Sequence, residues 1–224
     1  MEYNDSFFEN LFNTFKQTLV DLDKYSLPSV SQITLKYDAD PYLILVAALI
    51  SLRTKDSVTL SSSVRLFERA KTPKEILALT DEELESLIYP CAFYKRKAQN
   101  IKTISKILLE EHNGQVPDTE EELMRLPGVG IKSANLTLNL GFNIDAICVD
   151  CHVHQICNRL GIIDTKTPEE SEKELKKVMP KRFWIPLNEL FVTYGMEVCT
   201  PLSPKCSLCH LNKECKKVGV QTSR

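Results

Sequence analysis

The chain has 224 residues, 43% of them hydrophobic, with 28 basic against 30 acidic side chains and a formal net charge of −2, which is room for one large domain or two small ones around a sizeable apolar core. That balance argues against a surface built throughout to hold a polyanion, because phosphate binding draws on lysine and arginine, and it directs attention to local basic runs. The most apolar window, residues 42–52, is 11 residues long, well short of the ~20 that cross a bilayer, so no membrane partner is expected.

In chain order, residues 1–13 mix Glu2, Asp5 and Glu9 with aromatic residues and show neither a basic flank nor a cleavable apolar segment, so an intracellular protein is expected. Residues 42–52 read as a buried helix. Leu77, Leu79, Leu84 and Leu87, then Ile101, Ile104, Ile107 and Leu108, recur at helical spacing and predict helices joined by short turns. Thr80-Asp81-Glu82-Glu83, Asp118-Thr119-Glu120-Glu121 and Thr167-Pro168-Glu169-Glu170 each set a capping oxygen ahead of acids that suit a helix N-terminus, the third with proline at the first helical position. Strand signals are scarce, so the expected fold class is all-α. No linker or internal repeat divides the chain, and the most natural seam lies in residues 141–146. Residues 93–107 hold Lys95, Arg96, Lys97, Lys102 and Lys106 with no acid, and residues 199–224 hold five basic residues against Glu214; each run is either a phosphate-facing patch or a solvated helix face.

Between a helical pattern ending near Arg125 and another beginning near Ile131 stands Leu126-Pro127-Gly128-Val129-Gly130-Ile131-Lys132. Two glycines permit positive φ and leave the backbone bare, so this turn can aim amide N–H groups at a phosphate from the positive end of the next helix. Its carbonyls are a candidate site for a monovalent cation, and the plain alternative is a tight connection without a ligand. Lys132 lies in the first turn of the second helix, where backbone charge disfavours ammonium; a lysine nucleophile reacts as the neutral amine, and the alternative is a surface lysine. Asp150 follows 18 residues later within Cys148-Val149-Asp150-Cys151-His152-Val153-His154, as a catalytic carboxylate, a helix N-cap, or both.

Cys199, Cys206, Cys209 and Cys215 form C-x6-C-x2-C-x5-C, four soft ligands within 17 residues. Such a set suits zinc or an iron-sulfur cluster, and softness alone does not choose between them; paired disulfides are the poorer reading for an intracellular chain. Cys91, Cys148, Cys151 and Cys157 lack that compact spacing and read as buried small hydrophobes.

In combination, Leu126-Pro127-Gly128-Val129-Gly130-Ile131-Lys132-Ser133-Ala134-Asn135, Val149-Asp150-Cys151-His152, Asn158-Arg159 and the terminal cysteine spacing resemble endonuclease III, within the helix-hairpin-helix DNA glycosylases, over residues 15–220. The resemblance implies two helical lobes with DNA between them: a six-helix barrel over residues 35–144 ending in the helix-hairpin-helix, and an iron-sulfur lobe formed by residues 1–34 and 145–224. It implies a 4Fe–4S cluster on the four terminal cysteines, where ligand chemistry left zinc open. Lys132 matches the lysine that attacks C1′ of an extruded nucleotide, which leads through a Schiff base to β-elimination, and Asp150 matches the catalytic aspartate. Arg53 and Phe93 align with two residues that enter the duplex; Lys95, Gly128 and Gly130 are the other candidate DNA contacts. Ser51, Asp56, Ser133 and His152 align near the base pocket. The structural alternatives are core packing for Phe93, helix capping for Ser51 and Asp56, and bracing of Asp150 for His152.

The sequence departs from the family at Arg53, where well-known members carry glutamine, at Cys151, where threonine is common, and at Gln155, where a basic residue is often seen. Between Cys199 and Cys206 stands a single cation, Lys205. The implied function is a bifunctional DNA glycosylase and abasic-site lyase acting on oxidised or ring-saturated pyrimidines in double-stranded DNA, for which a monomer suffices. The alternatives are a monofunctional glycosylase for adenine or thymine mismatches and a non-catalytic iron-sulfur DNA-binding module.

Overall fold

The computed structural model describes residues 3–224; Met1 and Glu2, the start of the stretch read for export signals, lie outside the described residues. Among the described residues there is no strand. In chain order the α-helices are α1 (Asp5–Asp21), α2 (Ser29–Lys36), α3 (Pro41–Ser51), α4 (Asp56–Arg69), α5 (Pro73–Ala78), α6 (Asp81–Ile88), α7 (Tyr94–Glu111), α8 (Glu120–Arg125), α9 (Ile131–Phe142), α10 (Cys151–Leu160), α11 (Pro168–Val178) and α12 (Trp184–Glu197). The all-α expectation holds, and among the described residues no helix is long and apolar enough to cross a membrane. Two compact units divide the chain: Ser29–Ala146, and the chain ends, residues 3–28 with Ile147–Arg224.

In the central unit α3 is the axis. Its residues 42–50 are each at most 5% exposed, as expected of a helix apolar on every side, and α2, α4, α7 and α9 pack around it. Asp40 starts it by accepting from the amides of Tyr42 and Leu43, with Pro41 in the first turn. The buried Tyr42 hydroxyl on this helix shares a 2.6 Å hydrogen bond with Ser105 Oγ. Each large apolar side chain so buried contributes about 1.5–3 kcal/mol. The leucine run around residue 80 resolves into two short helices. Leu79 ends α5 in extended backbone, and Thr80 with Glu83 restarts the chain in a reciprocal capping box. Ile76 and Leu84 fill the core while Leu77 stays 38% exposed.

In the chain-end unit, Asn4 caps α1 by accepting from Phe7 N, and Phe8, Leu11, Phe12, Phe15 and Leu19 form one buried face. That face meets α12, where Phe15 stacks on Tyr194 with ring centroids 3.7 Å apart and planes 8° from parallel. Phe12 lies against Phe183 and Phe191. Thr167 caps α11 ahead of Pro168, as its sequence predicts. The aromatic wall so formed is the floor on which α10 and the cysteine segment rest.

Candidate active site and cysteine centre

The hairpin is built from two anchors and a bend. Leu126 and Val129 are 3% and 8% exposed, and Val129 N–H donates to the Leu126 carbonyl at 3.2 Å, which occupies one of the carbonyls offered to a cation. Gly128 has φ +79°, and a Cβ there would fall 2.2 Å from Asn100 Nδ2, so both conformation and space require glycine. Of the two glycines, Gly128 uses the positive φ that both permit. Gly130 has φ −105° and N-caps α9 without a side-chain hydrogen bond; lacking a side chain, it sets none over the positive helix end. Lys132 sits half-buried in that first turn. Ser133 is 1% exposed, and its Oγ has no hydrogen-bond partner among the described residues.

Asp150 is 7% exposed and caps α10, its Oδ1 accepting from the amides of His152 at 2.9 Å and Val153 at 3.0 Å. The cap and the carboxylate are thus one group, fixed in direction by the helix. Cys91, Cys148 and Cys157 are buried as expected, whereas Cys151 is exposed. It occupies the first position of α10, off the face that buries Val153, Ile156 and Cys157. His152 owes its place to Gly195 on α12, where a Cβ would lie 2.2 Å from the ring Nδ1.

Other sequence candidates fall differently. Ser51 Oγ donates to the Ala48 carbonyl at 2.7 Å. Asp56 does cap a helix, but α2 rather than its own: its two oxygens accept from Ser29 N at 3.1 Å, and Oδ1 also accepts from Ser29 Oγ at 2.6 Å. Arg53 is exposed with φ +54°, and Phe93 is 62% exposed with φ +57°, so core packing does not explain Phe93. Lys97 must be removed from the basic patch. It is 6% exposed, and its Nζ donates to Ile50 O and Leu52 O at 2.7 Å each and to Thr54 Oγ1 at 3.0 Å. Burial pushes its pKa below the ordinary lysine value. Lys102 pairs with Asp81 and Lys106 with Glu110. Lys95, Arg96 and the ion-paired Lys106 are the exposed cations of that run.

The four terminal cysteines line one apolar cavity of about 30 Å³ together with Phe15, Ile156 and Tyr194. Polar groups converge on them from α10 and α12. Arg159 donates to Cys199 Sγ at 3.3 Å and to the carbonyls of Thr200 at 2.9 Å and Pro201 at 2.6 Å. Gln155 donates to Cys199 O at 2.8 Å, Tyr194 OH to Cys209 Sγ at 3.0 Å, and Lys217 N to Cys215 Sγ at 3.4 Å. Burial pushes the thiols of Cys199, Cys209 and Cys215 up, and neighbouring sulfurs add to the shift. Thiolates at such a place need a cation among them, and donors aimed at sulfur are what metal-bound thiolates take.

The spacing of the sulfurs bears on which metal. Around one zinc, with Zn–S ~2.3 Å, tetrahedral sulfurs stand ~3.8 Å apart. Among the described residues the group of three ligating side chains whose atoms gather within 4.8 Å is Asp150, Cys151 and His152, not any three of the terminal cysteines. Gln155, Arg159 and Tyr194 were not identified as part of this centre from sequence; the signal available was Arg159 within the Asn158-Arg159 pair.

Residues 46–181 match the HhH-GPD superfamily, base excision DNA repair proteins. An endonuclease III from Thermotoga maritima is 44% identical over 179 residues, which is 80% of this chain and 84% of that protein. The solved structure of a trapped endonuclease III–DNA covalent intermediate is similar with a TM-score of 0.75 at 36% identity, over 80% of this chain and 84% of that one. A thermostable thymine-DNA glycosylase aligns over 93% of this chain and 95% of its own with a TM-score of 0.77; at 20% identity that likeness concerns the fold alone.

Proposed function

Because the chain belongs to the endonuclease III family, within the HhH-GPD superfamily of base excision DNA repair proteins, we propose that it removes oxidised or ring-saturated pyrimidines from duplex DNA and cleaves the resulting abasic strand, with Lys132 as nucleophile. The observation that carries the assignment is Lys132 in the first turn of α9, directly after a glycine hairpin whose N-cap offers backbone amides and no side chain. A base stacked in duplex hides its C1′, so the nucleotide must be rotated out, at a few kcal/mol. Arg53 and Phe93 fill the gap, and Lys95 with the backbone of the turn that ends at Gly130 grips the phosphates.

The chemistry then proceeds from groups of this chain. The neutral Lys132 amine attacks C1′, the glycosidic bond breaks, and the base leaves with the electron pair and takes up a proton. The ring oxygen departs from C1′ as the Schiff base forms. Loss of a C2′ proton then expels the 3′ phosphate with the C–O electron pair. Asp150 stabilises the cationic sugar and helps move the lysine proton, its orientation set by the α10 amides. His152 borders the base and braces Asp150, and Ser133, whose buried hydroxyl has no partner among the described residues, shapes the pocket wall. The reading requires Lys132 and Asp150 to reach one deoxyribose.

Cys199, Cys206, Cys209 and Cys215 would hold a 4Fe–4S cluster through their thiolates. The support is an apolar cavity lined by all four cysteines, with Arg159 and Tyr194 donating to the sulfurs of Cys199 and Cys209. Bound, the cluster supplies order to a segment with two prolines and short spacers.

Borohydride trapping tests the function. With duplex carrying an oxidised pyrimidine, the wild type should yield a covalent protein–DNA adduct and Lys132→Ala none. Asp150→Asn should trap ~10²-fold or more slowly. An adduct formed equally by Lys132→Ala removes the nucleophile; base release without any adduct favours the monofunctional alternative.

A further inference from the structure

Arg53 and Phe93 share a feature that neither has from its own sequence. Both are exposed, non-glycine residues in the left-handed region, with φ +54° and +57°, a conformation that costs about 1–3 kcal/mol and persists where the surroundings impose it. They stand on different loops, one following α3 and one preceding α7. What imposes both is a single buried junction.

Lys97 has three donors, and its ammonium uses all of them on the end of α3 and the loop after it: Ile50 O, Leu52 O and Thr54 Oγ1. The Thr54 hydroxyl is equally full. It donates to Leu52 O at 3.3 Å and accepts from Lys97 Nζ and from Ala92 N at 3.1 Å. Arg53 is therefore held on both sides, by Leu52 and Thr54. Phe93 is held on one side by Ala92, and its own carbonyl accepts the backbone N–H of Lys97 at 3.0 Å. From outside, Arg65 grips the same loop through the carbonyls of Leu87 and Tyr89.

We propose that Lys97, acting through Thr54, is a positioning residue that holds Arg53 and Phe93 in fixed register so that the two enter the duplex as one wedge. The proposal rests on the reading that both residues enter DNA. A capping glycine after α3 would close that helix without any buried charge; a buried ammonium shared between two loops does something a glycine does not, because it ties the second loop to the first. Register matters for insertion, since a displacement of about 1 Å at a reacting geometry costs on the order of 10²-fold in rate. It does not matter for a substrate with no partner strand, where there is no gap to fill.

That difference supplies the test. Borohydride-trapping rates are measured for wild type, Thr54→Val, Thr54→Ser and Lys97→Met on two substrates: a single-stranded abasic oligonucleotide, and a duplex carrying an oxidised pyrimidine with 2-aminopurine beside it to report extrusion. Thr54→Val keeps the shape and loses the hydroxyl, so its duplex rate and its 2-aminopurine rise should slow about tenfold while the single-strand rate stays at the wild-type value. Thr54→Ser should restore the duplex rate, and Lys97→Met should show the larger duplex defect. Equal losses on both substrates would reduce the junction to general stability and overturn the proposal, as would an unchanged duplex rate in Thr54→Val. A wild type inactive on both substrates would overturn the proposed function and this inference together.

Discussion

The two hairpin glycines should respond in opposite ways to the same substitution. At Gly128, alanine must adopt φ +79°, which costs an L-residue about 1–2 kcal/mol. Its Cβ would also stand 2.2 Å from Nδ2 and 3.2 Å from Cγ of Asn100. The amide end can swing aside, adding up to ~1 kcal/mol for contacts it gives up. Gly128→Ala should therefore lose about 1–3 kcal/mol, which lowers the Tm of a chain this size by several degrees at roughly 2–4 °C per kcal/mol. At Gly130, φ is −105° and no atom lies within 4 Å of the added carbon. The entropy lost by the unfolded chain and the poorer capping by alanine nearly offset, so Gly130→Ala should unfold within ~1 kcal/mol of the wild type. Its methyl group instead enters the open space at the N-terminal end of α9 where a docked phosphate would lie, and affinity for an abasic-site duplex should fall about 10–100-fold, the range for losing one charge-assisted hydrogen bond. Thermal unfolding and Kd measured at one fixed salt concentration separate the two effects. Equal stability losses, or a Gly130→Ala protein that binds like the wild type, would refute the assignment of one glycine to the fold and the other to DNA.

Phe93→Ala should leave Tm unchanged, since the ring is 62% exposed, and slow excision from duplex about 10–100-fold through lost stacking; a fall in Tm without a rate change would contradict this. Gly195→Ala places a carbon 2.2 Å from Nδ1 and 2.6 Å from Cγ of His152, at the rigid root of the ring, so it should destabilise by ~1–3 kcal/mol and depress trapping together. Arg159→Met removes the donor to Cys199 Sγ, Thr200 O and Pro201 O and should lower iron content on purification; wild-type iron loading would show the guanidinium to be dispensable. Because burial already holds the thiols of Cys199, Cys209 and Cys215 above the ordinary range, protons compete with metal, and reloading of stripped protein should improve as pH rises through neutrality; loading that is flat with pH would contradict it.

What was legible in the sequence was local. Thr80 with Glu83, Thr119 ahead of Glu122 and Thr167 beside Pro168 cap helices from within four residues, and the hairpin's bounds at Arg125 and Ile131 follow from the glycines between them. Lys132, Asp150 and the four cysteines could be named because each sits in a compact motif. What sequence could not supply was the partner at a distance. Lys97 looks like one more cation in a basic run, and only acceptors 43–47 residues away in the chain make it a buried junction. Asp56 looks like the start of its own helix, yet its acceptor oxygens serve Ser29, 27 residues earlier. Cys151 follows its buried neighbours in composition but not in direction, because the first position of α10 turns it off the apolar face. Arg159 and Tyr194 reach the cysteine cavity from α10 and α12 by packing that no spacing announces.

The central claim is that one amine forms the covalent bond to DNA. Reduction of the trapped complex, proteolysis and mass spectrometry of the cross-linked peptide should place the sugar remnant on Lys132; a remnant on Lys95, on Lys97 or on the N-terminal amine would contradict the mechanism even if strand cleavage were intact.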